Sequence, residues 1–538
     1  MSGCVAPDSN TKDLRLSVPE LLIASRYNLG LNHSANPDVE TVVTGLASLK
    51  TQSALRLLAL VVLFSAAALY ESIHLSALSA SDVWVHLRTG TWMLETRAIP
   101  HTGLFSQYSC MPWNDSSWGF EFVLGVVYKL SGLRAIPILL MLLKTAIAAG
   151  TFLLAYSGRE DFWKAVALSA VAQYSISGLQ PLPYVFSILF FAVELRLLLR
   201  CRYSGSVRWL YWLPPLFVLW ANLHIQFVAG LVLLGVFLVA SLIEHWLRIL
   251  NVSWLSQRMV PLPLIEVGIV AVLSVLATFA TPYGFRLLPD FLKSQYSEVG
   301  FLHFSGMASM GFRRPEDYVV MLLVMMGFLA LGRRCSLEVF ELLMLLAGTT
   351  LAFRIQRDVW LVVLPAIAVL SRTSRHEAES QRRRVPAWQW GTIAAGTATV
   401  LVIAAVRIPD RNALMNRIRQ NFPVKACDYI VSNKLPRPLF NEYSWGSFLA
   451  WYMPQYPVVV DSRVELYGDE ILTKYFDVVG GKERLDSDPM VARAGLLLLE
   501  RNSAMAKALK NLPALSSRYR LVYSDELADV FVPPSNEQ

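Results

Sequence analysis

From about residue 55 to residue 406 the chain repeats one pattern. Runs of roughly 15–25 apolar residues are separated by short polar segments, and each run is long enough to cross a hydrocarbon layer of about 30 Å as a helix. The runs fall at 55–70, 135–156, 162–178, 183–199, 209–222, 225–248, 263–281, 317–332, 336–353, 357–371 and 387–406. They predict about eleven transmembrane helices. A further run, 119–131, is short and carries Glu121. It is expected as a peripheral helix that does not span; if it crosses, one of the others does not. After Val406 the pattern turns to short strands alternating with helices. Pro438–Asn441, Val458–Asp461 and Leu497–Glu500 read as strands, and Gly446–Met453, Glu465–Val479 and Ser503–Leu512 as helices. Tyr519–Tyr523 and Asp529–Val532 read as an antiparallel pair at a sheet edge. The predicted fold is therefore an α-helical polytopic membrane protein with a C-terminal soluble α/β domain. No repeat with a period of about 20–50 residues is visible.

Composition agrees with that reading. Of 538 residues, 54% are hydrophobic and 16% charged, against about 45–50% and about 25% in soluble domains. This excludes a soluble enzyme, a disordered chain and a disulfide-stapled secreted module. The net charge of +8 would suit a nucleic-acid binder, but its placement argues otherwise. Arg196, Arg200, Arg202 and Arg208 share one inter-helix loop, Arg333 and Arg334 a second, and Arg372, Arg375, Arg382, Arg383 and Arg384 a third. Short basic loops between spans mark the cytoplasmic side, so no nucleic-acid partner is expected. The five cysteines show neither paired metal spacing nor a disulfide framework.

These anchors order the chain. Residues 1–52 are polar, without the apolar stretch of a cleavable signal, and are expected in the cytoplasm. Residues 53–406 form the transmembrane domain, with an outer loop at 74–118. Residues 407–538 form the extracytoplasmic α/β domain. The expected location is the inner (plasma) membrane, as a multi-pass protein.

The outer loop concentrates the candidate chemistry. Asp82 and His86 are four apart and share one face of a helix. Trp84, Trp92, Trp113 and Trp118 crowd the same segment. Interfacial anchoring explains such tryptophans; a groove whose aromatic faces stack on a sugar explains them equally. Asp115 and Glu121 add two carboxylates on the far side of the loop, and two acids converging on one cavity can activate an acceptor and steer a leaving group. Asn222, His224, Arg354, Arg357 and Asp358 fall at the outer ends of spans. Arg354 and Arg357 suit a phosphate, whose oxygens match guanidinium forks; a lipid headgroup or an ion pair with Asp358 is the alternative. For His224 the alternative is an interhelical hydrogen bond. In the tail, Asp461 and Arg463 end a predicted strand, where ligands bind open α/β sheets; a structural ion pair is the other reading.

The pattern D-x-x-x-H-L-x-x-G-x-W, I-P-H, F-S, P-W and W-x-x-E through residues 82–121 resembles the start of membrane glycosyltransferases of the GT-C superfamily. Relatives there include the protein O-mannosyltransferases and the aminoarabinose lipid A transferases. A bacterial branch adds motifs that look like Trp220–Phe227, Thr281–Gly284 and Arg354–Trp360 here, and tail signatures similar to Phe440–Trp451 and Val458–Glu470. The resemblance implies a GT-C-like helical domain and transfer of a sugar from a polyprenyl-phosphate donor, with inversion, to a lipid, glycan or protein acceptor on the outer face, among membrane lipids. It implies Asp82 as general base, with Glu121 matching the acid at the loop end and His86 assisting. Arg354 and Arg357 would hold the donor phosphate, with Asn222, His224, Asp115 and Trp84 lining the substrate site. It fixes no cofactor and no metal ligand, and leaves a divalent metal open. Two departures stand out: Ser116 and Ser117 precede Trp118 where that branch often carries an acid, and His303 is the one titratable group in FLHFSGMAS. They favour the rival reading, a non-catalytic scaffold on the same bundle. A transporter is disfavoured, because no inverted repeat is visible.

Overall fold

The computed structural model describes residues 37–156, 161–252, 261–295, 297–303, 306–334, 336, 338–372, 387–481, 488–512, 515 and 517–534. Cys4, Cys335 and the arginines of 375–384 lie outside them. The chain divides into two compact units, Met1–Leu57 and Leu58–Gln538. The described part of the first unit is the beginning of a long helix, Pro37–His74. Everything below concerns the second.

About 70% of the chain is helical. Among the described residues, five helices are long and apolar enough to cross a membrane: Thr51–His74, Trp118–Ala155, Phe227–Ile249, Pro315–Gly332 and Ala387–Arg407. Their outward sides carry bare apolar chains such as Ile73, 74% exposed, and Val406, also 74% exposed, as a lipid-facing surface requires. This is a multi-pass membrane protein. Several other predicted runs form shorter helices, among them Phe162–Ser175, Leu213–Leu223, Val339–Arg354 and Trp360–Ser371. The 119–131 run forms a helix of its own, ended at Gly132, where φ is +59°. That helix, Trp118–Ser131, is followed by a 3-10 turn at Gly132–Arg134 and then by Ala135–Ala155.

One arginine from each of three basic loops meets the others at one end of the bundle. Arg202 pairs with Glu244, Arg334 with Glu341, and Arg372 with both Glu338 and Glu341. Buried charges persist only when paired in this way.

The tail carries a four-stranded sheet of order β1 (Leu439–Asn441), β2 (Leu496–Glu500), β4 (Ala528–Val532) and β3 (Arg520–Ser524). β1 runs parallel to β2, and the other pairs are antiparallel. Strand alternation sends successive side chains to opposite faces, and here both faces are covered. Leu439, Leu496, Leu498, Ala528, Val530 and Val532 join the core shared with the helical bundle. Phe440, Leu497, Leu499 and Phe531 join a second core with Tyr475 and, from the outer loop, Trp113.

Val458–Asp461 is not a strand of this sheet. Its one bridge is to Ser106 of the outer loop. The Asn441 side chain takes the place of ladder partners: its Oδ1 accepts from Val459 N at 2.9 Å, and its Nδ2 donates to Val460 O at 2.9 Å. With those groups satisfied, the VVV segment has no need of a neighbouring strand.

Candidate functional site

The outer loop opens into the helix Val83–Thr96, with Asp82 at its N-terminal boundary. This helix lies against Trp118–Ser131 at backbone contact. A Cβ on Gly90 would fall 2.0 Å from the Glu121 carbonyl oxygen, and one on Gly125 would fall 2.7 Å from that of Gly90. Only glycine permits such an approach. It brings His86 Nδ1 within 2.8 Å of Glu121 Oε1, with the His86 ring edge-on to Phe120 at 5.6 Å.

Asp115 joins the pair. Its Oδ1 accepts from Ser117 N at 2.9 Å, which seats it ahead of the Trp118 helix. Both Asp115 and Glu121 are buried, and Asp115 Oδ2 and Glu121 Oε2 find no donor among the described residues. Two facing carboxyls in a dry setting cannot both ionise. Burial, and then the neighbouring Glu121, push the Asp115 carboxyl well above the ordinary aspartate range. His86 moves the other way. Burial holds its imidazole below the usual histidine range, against the opposing pull of Asp115, Asp82 and Glu465. A neutral imidazole donating from Nδ1 to Glu121 keeps Nε2 as a proton acceptor.

Asp82 is part-exposed and accepts from Ser81 Oγ at 2.6 Å. Its charge acts on His86, on Tyr184 and on Tyr443 of the tail. Tyr184 also feels Arg357, whose guanidinium lies 5.8 Å from the Tyr184 ring centre. Arg357 Nε is 3.7 Å from Asp358 Oδ1, and Asp358 accepts from Gln226 at 2.8 Å. Arg354 is exposed at the end of its helix.

Two expected substrate residues are engaged in structure. Asn222 accepts from Trp118 Nε1 at 3.0 Å and donates to the Val218 and Ala280 carbonyls. His224 Nδ1 meets Ser187 Oγ at 2.9 Å, and Ser187 accepts from Trp220. The sugar-stacking role expected of Trp84 fails outright. Its side chain is fully buried, with Phe422, Phe448 and Trp451 at centroid distances of 5.7, 5.4 and 4.7 Å. Its faces are occupied by the tail.

The tail supplies residues that sequence reasoning did not place here. Arg463 grips Asp461 through two bonds, 2.9 Å from Nε and 2.6 Å from Nη2, and Tyr467 OH donates to the same carboxylate at 2.8 Å. The Asp461–Arg463 structural pair is therefore present. Its position adds more: the guanidinium lies 4.9 Å from the Trp113 ring centre, and Trp113 Nε1 donates to Glu465 Oε1 at 3.3 Å. The Arg463 charge acts on Glu121 and His86, and that of Glu465 acts on His86. Burial raises the Glu465 carboxyl. The motif VVVDSRVELYGDE was the available signal.

No group of three or more His, Cys, Asp or Glu side chains able to hold a metal ion occurs among the described residues.

No protein-family model and no curated protein matches the sequence. Among solved structures, the chain is similar to the archaeal oligosaccharyltransferase AglB from Archaeoglobus fulgidus, solved with an inhibitory peptide and a dolichol-phosphate. Identity is 13%, the TM-score is 0.48, and the match covers 90% of this chain and 75% of that one. ArnT from Cupriavidus metallidurans, bound to undecaprenyl phosphate, gives 14% identity and a TM-score of 0.46 over 88% of this chain and 98% of that one. The Archaeoglobus fulgidus oligosaccharyltransferase in the apo form gives 12% identity and a TM-score of 0.46, covering 90% and 75%. At such scores the likeness concerns the course of the chain and assigns no residue.

Proposed function

We propose that the protein is an integral-membrane glycosyltransferase of GT-C type, moving a sugar from a polyprenyl phosphate to an envelope acceptor on the outer face. In this reading the N-terminus is cytoplasmic and the tail extracytoplasmic. The observation that carries it is the meeting of His86 and Glu121 at 2.8 Å with Asp115 beside them, on a helix that Asp82 begins, with the Arg357 guanidinium 5.8 Å from the Tyr184 ring centre.

The chemistry follows from the placement. An acceptor hydroxyl attacks the anomeric carbon, the bond from that carbon to the phosphate oxygen breaks, and the hydroxyl proton passes to a base. Asp82, at the open end of its helix, is the base, with His86 Nε2 assisting; general bases of this kind contribute about 10²–10⁴-fold. The departing polyprenyl phosphate carries negative charge, which Arg357 neutralises, with Arg354 close to the same mouth. Glu121 fixes the imidazole through its bond to Nδ1, with Asp115 beside it.

The test is Asp82→Asn, with mass-spectrometric comparison of envelope glycans and lipids at matched protein level. Loss of one glycan species is expected; an unchanged profile overturns the catalytic reading. A second reading, a non-catalytic scaffold on the same bundle, is favoured by the burial of Asp115 and Glu121, 2% and 1% exposed. It requires Asp82→Asn to be silent while disruption of the tail is not.

A further inference from the structure

The tail joins the helical bundle through a short basic segment. The last span, Ala387–Arg407, ends on an arginine, and Asp410 caps the next helix, Arg411–Ile418, by accepting from Ala413 N at 3.0 Å. That helix buries Leu414 and Ile418 in the core. Two bonds lay the segment across the ends of its neighbours. Arg417 Nη2 donates to the His74 carbonyl at 3.4 Å, where the first span ends. Arg134 Nε, in the 3-10 turn ahead of Ala135–Ala155, donates to the Pro409 carbonyl at 3.1 Å. The outward side of this junction is a row of bases. Lys129, Arg407, Arg411, Arg417 and Arg419 are all exposed, and none of them forms an ion pair among the described residues. Between Arg407 and Arg419 the one acid is Asp410, which the cap employs.

The arginines at the other end of the bundle behave differently. Arg202, Arg334 and Arg372 are neutralised by Glu244, Glu338 and Glu341. The charges at the tail junction are left for something outside the chain. What lies beside them is apolar: Leu130, next to Lys129, is 82% exposed, and Val406, next to Arg407, and Ile73, next to His74, share the bare lipid-facing surface. A base adjoining a lipid-facing side chain at a helix end reaches the level of the headgroups.

We propose that this basic collar is a docking surface for the anionic phospholipid headgroups of the leaflet on the tail's side, and that headgroups bound there brace the junction between the last span and the tail. The inference stands apart from the glycosyltransferase reading. Guanidinium forks match phosphate oxygens, and the attraction of a charged leaflet fades within a Debye length, so only bases at the span ends feel it. These five sit there. A zwitterionic headgroup carries no net charge and gains little from the row, so the collar selects anionic lipid.

The experiment titrates the full chain, in micelles of a neutral detergent, with phosphatidylglycerol, phosphatidylcholine and undecaprenyl phosphate. Bound lipid is counted by native mass spectrometry, and the thermal midpoint is followed. Phosphatidylglycerol is expected to be retained in preference to phosphatidylcholine and to raise the midpoint. The combined variant Lys129→Gln, Arg407→Gln, Arg411→Gln and Arg419→Gln is expected to weaken that retention by about tenfold or more, with its midpoint in phosphatidylcholine unchanged. It leaves Arg134 and Arg417, which bond backbone carbonyls, in place. Should the combined variant fail to fold, the pairs Lys129→Gln with Arg411→Gln, and Arg407→Gln with Arg419→Gln, are read separately, each with a smaller loss in the same direction. Equal retention of the two phospholipids overturns the proposal, and so does a preference for phosphatidylglycerol that survives the substitutions. Retention of undecaprenyl phosphate in place of phosphatidylglycerol, lost in the variant, assigns the surface to a substrate lipid and overturns it as well.

Discussion

Trp113 and Glu465 are 352 positions apart in the chain and 3.3 Å apart in space. That bond closes the outer loop onto the tail, and Arg463 covers the same indole. The candidate site therefore belongs to both halves of the protein, and its behaviour under mutation should show that.

Glu121→Gln keeps a hydrogen-bond acceptor for His86 but removes the titratable carboxyl beside Asp115. Transfer is expected to fall by about 10²-fold or more while the protein accumulates normally. The check is the glycan profile at matched protein level.

The two glycines at the helix contact are sensitive to a single methyl. Gly90→Ala places a Cβ 2.0 Å from the Glu121 carbonyl oxygen, so the helices must separate. Overpacking of this kind costs about 1–3 kcal/mol. A lowered thermal midpoint together with lost transfer is expected, since the same contact sets the His86–Glu121 distance.

Asp115 gives a pH dependence with a definite sign. Its carboxyl is raised in the folded protein, mainly by burial, above the unfolded value of about 3.9. Its contribution to stability is complete below that value and is lost as pH rises through the folded pKa. Relative to Asp115→Asn, the wild-type midpoint is expected to decline as pH is raised from 4 to 8. His86, lowered by burial, works the other way below its ordinary value of about 6.5; because Asp115 also acts on the imidazole, the difference curve reports the two groups together.

Much of this fold was legible. The apolar runs correspond to helices, and the arginine loops converge on Glu244, Glu338 and Glu341 as one end of the bundle. What failed did so for tertiary reasons. Val458–Val460 has strong strand propensity, but a side-chain amide 18 and 19 residues away satisfies its backbone. Trp84 carries the signature of an interfacial aromatic, yet Phe422, Phe448 and Trp451 enclose it. The pairing of Asp461 with Arg463 was readable two residues apart; its seat beside Trp113 was not, because no local pattern encodes a contact over such a separation.

Asn441 offers a direct check on the amide. Asn441→Leu preserves volume but strands Val459 N and Val460 O in a buried setting, each at about 1–3 kcal/mol. Limited proteolysis is expected to cut the tail near 458–461 in the variant and to spare the wild type.

The enclosure of Trp84 also bears on how the protein is made. Residues 82–118 leave the ribosome long before Phe448 and Trp451 exist. Until the last quarter of the chain is synthesised, the loop holds an indole that lacks its covering rings. Completion of this loop is therefore a late event that waits on the C-terminal part of the chain, and a chain truncated before the tail would present an unfinished loop.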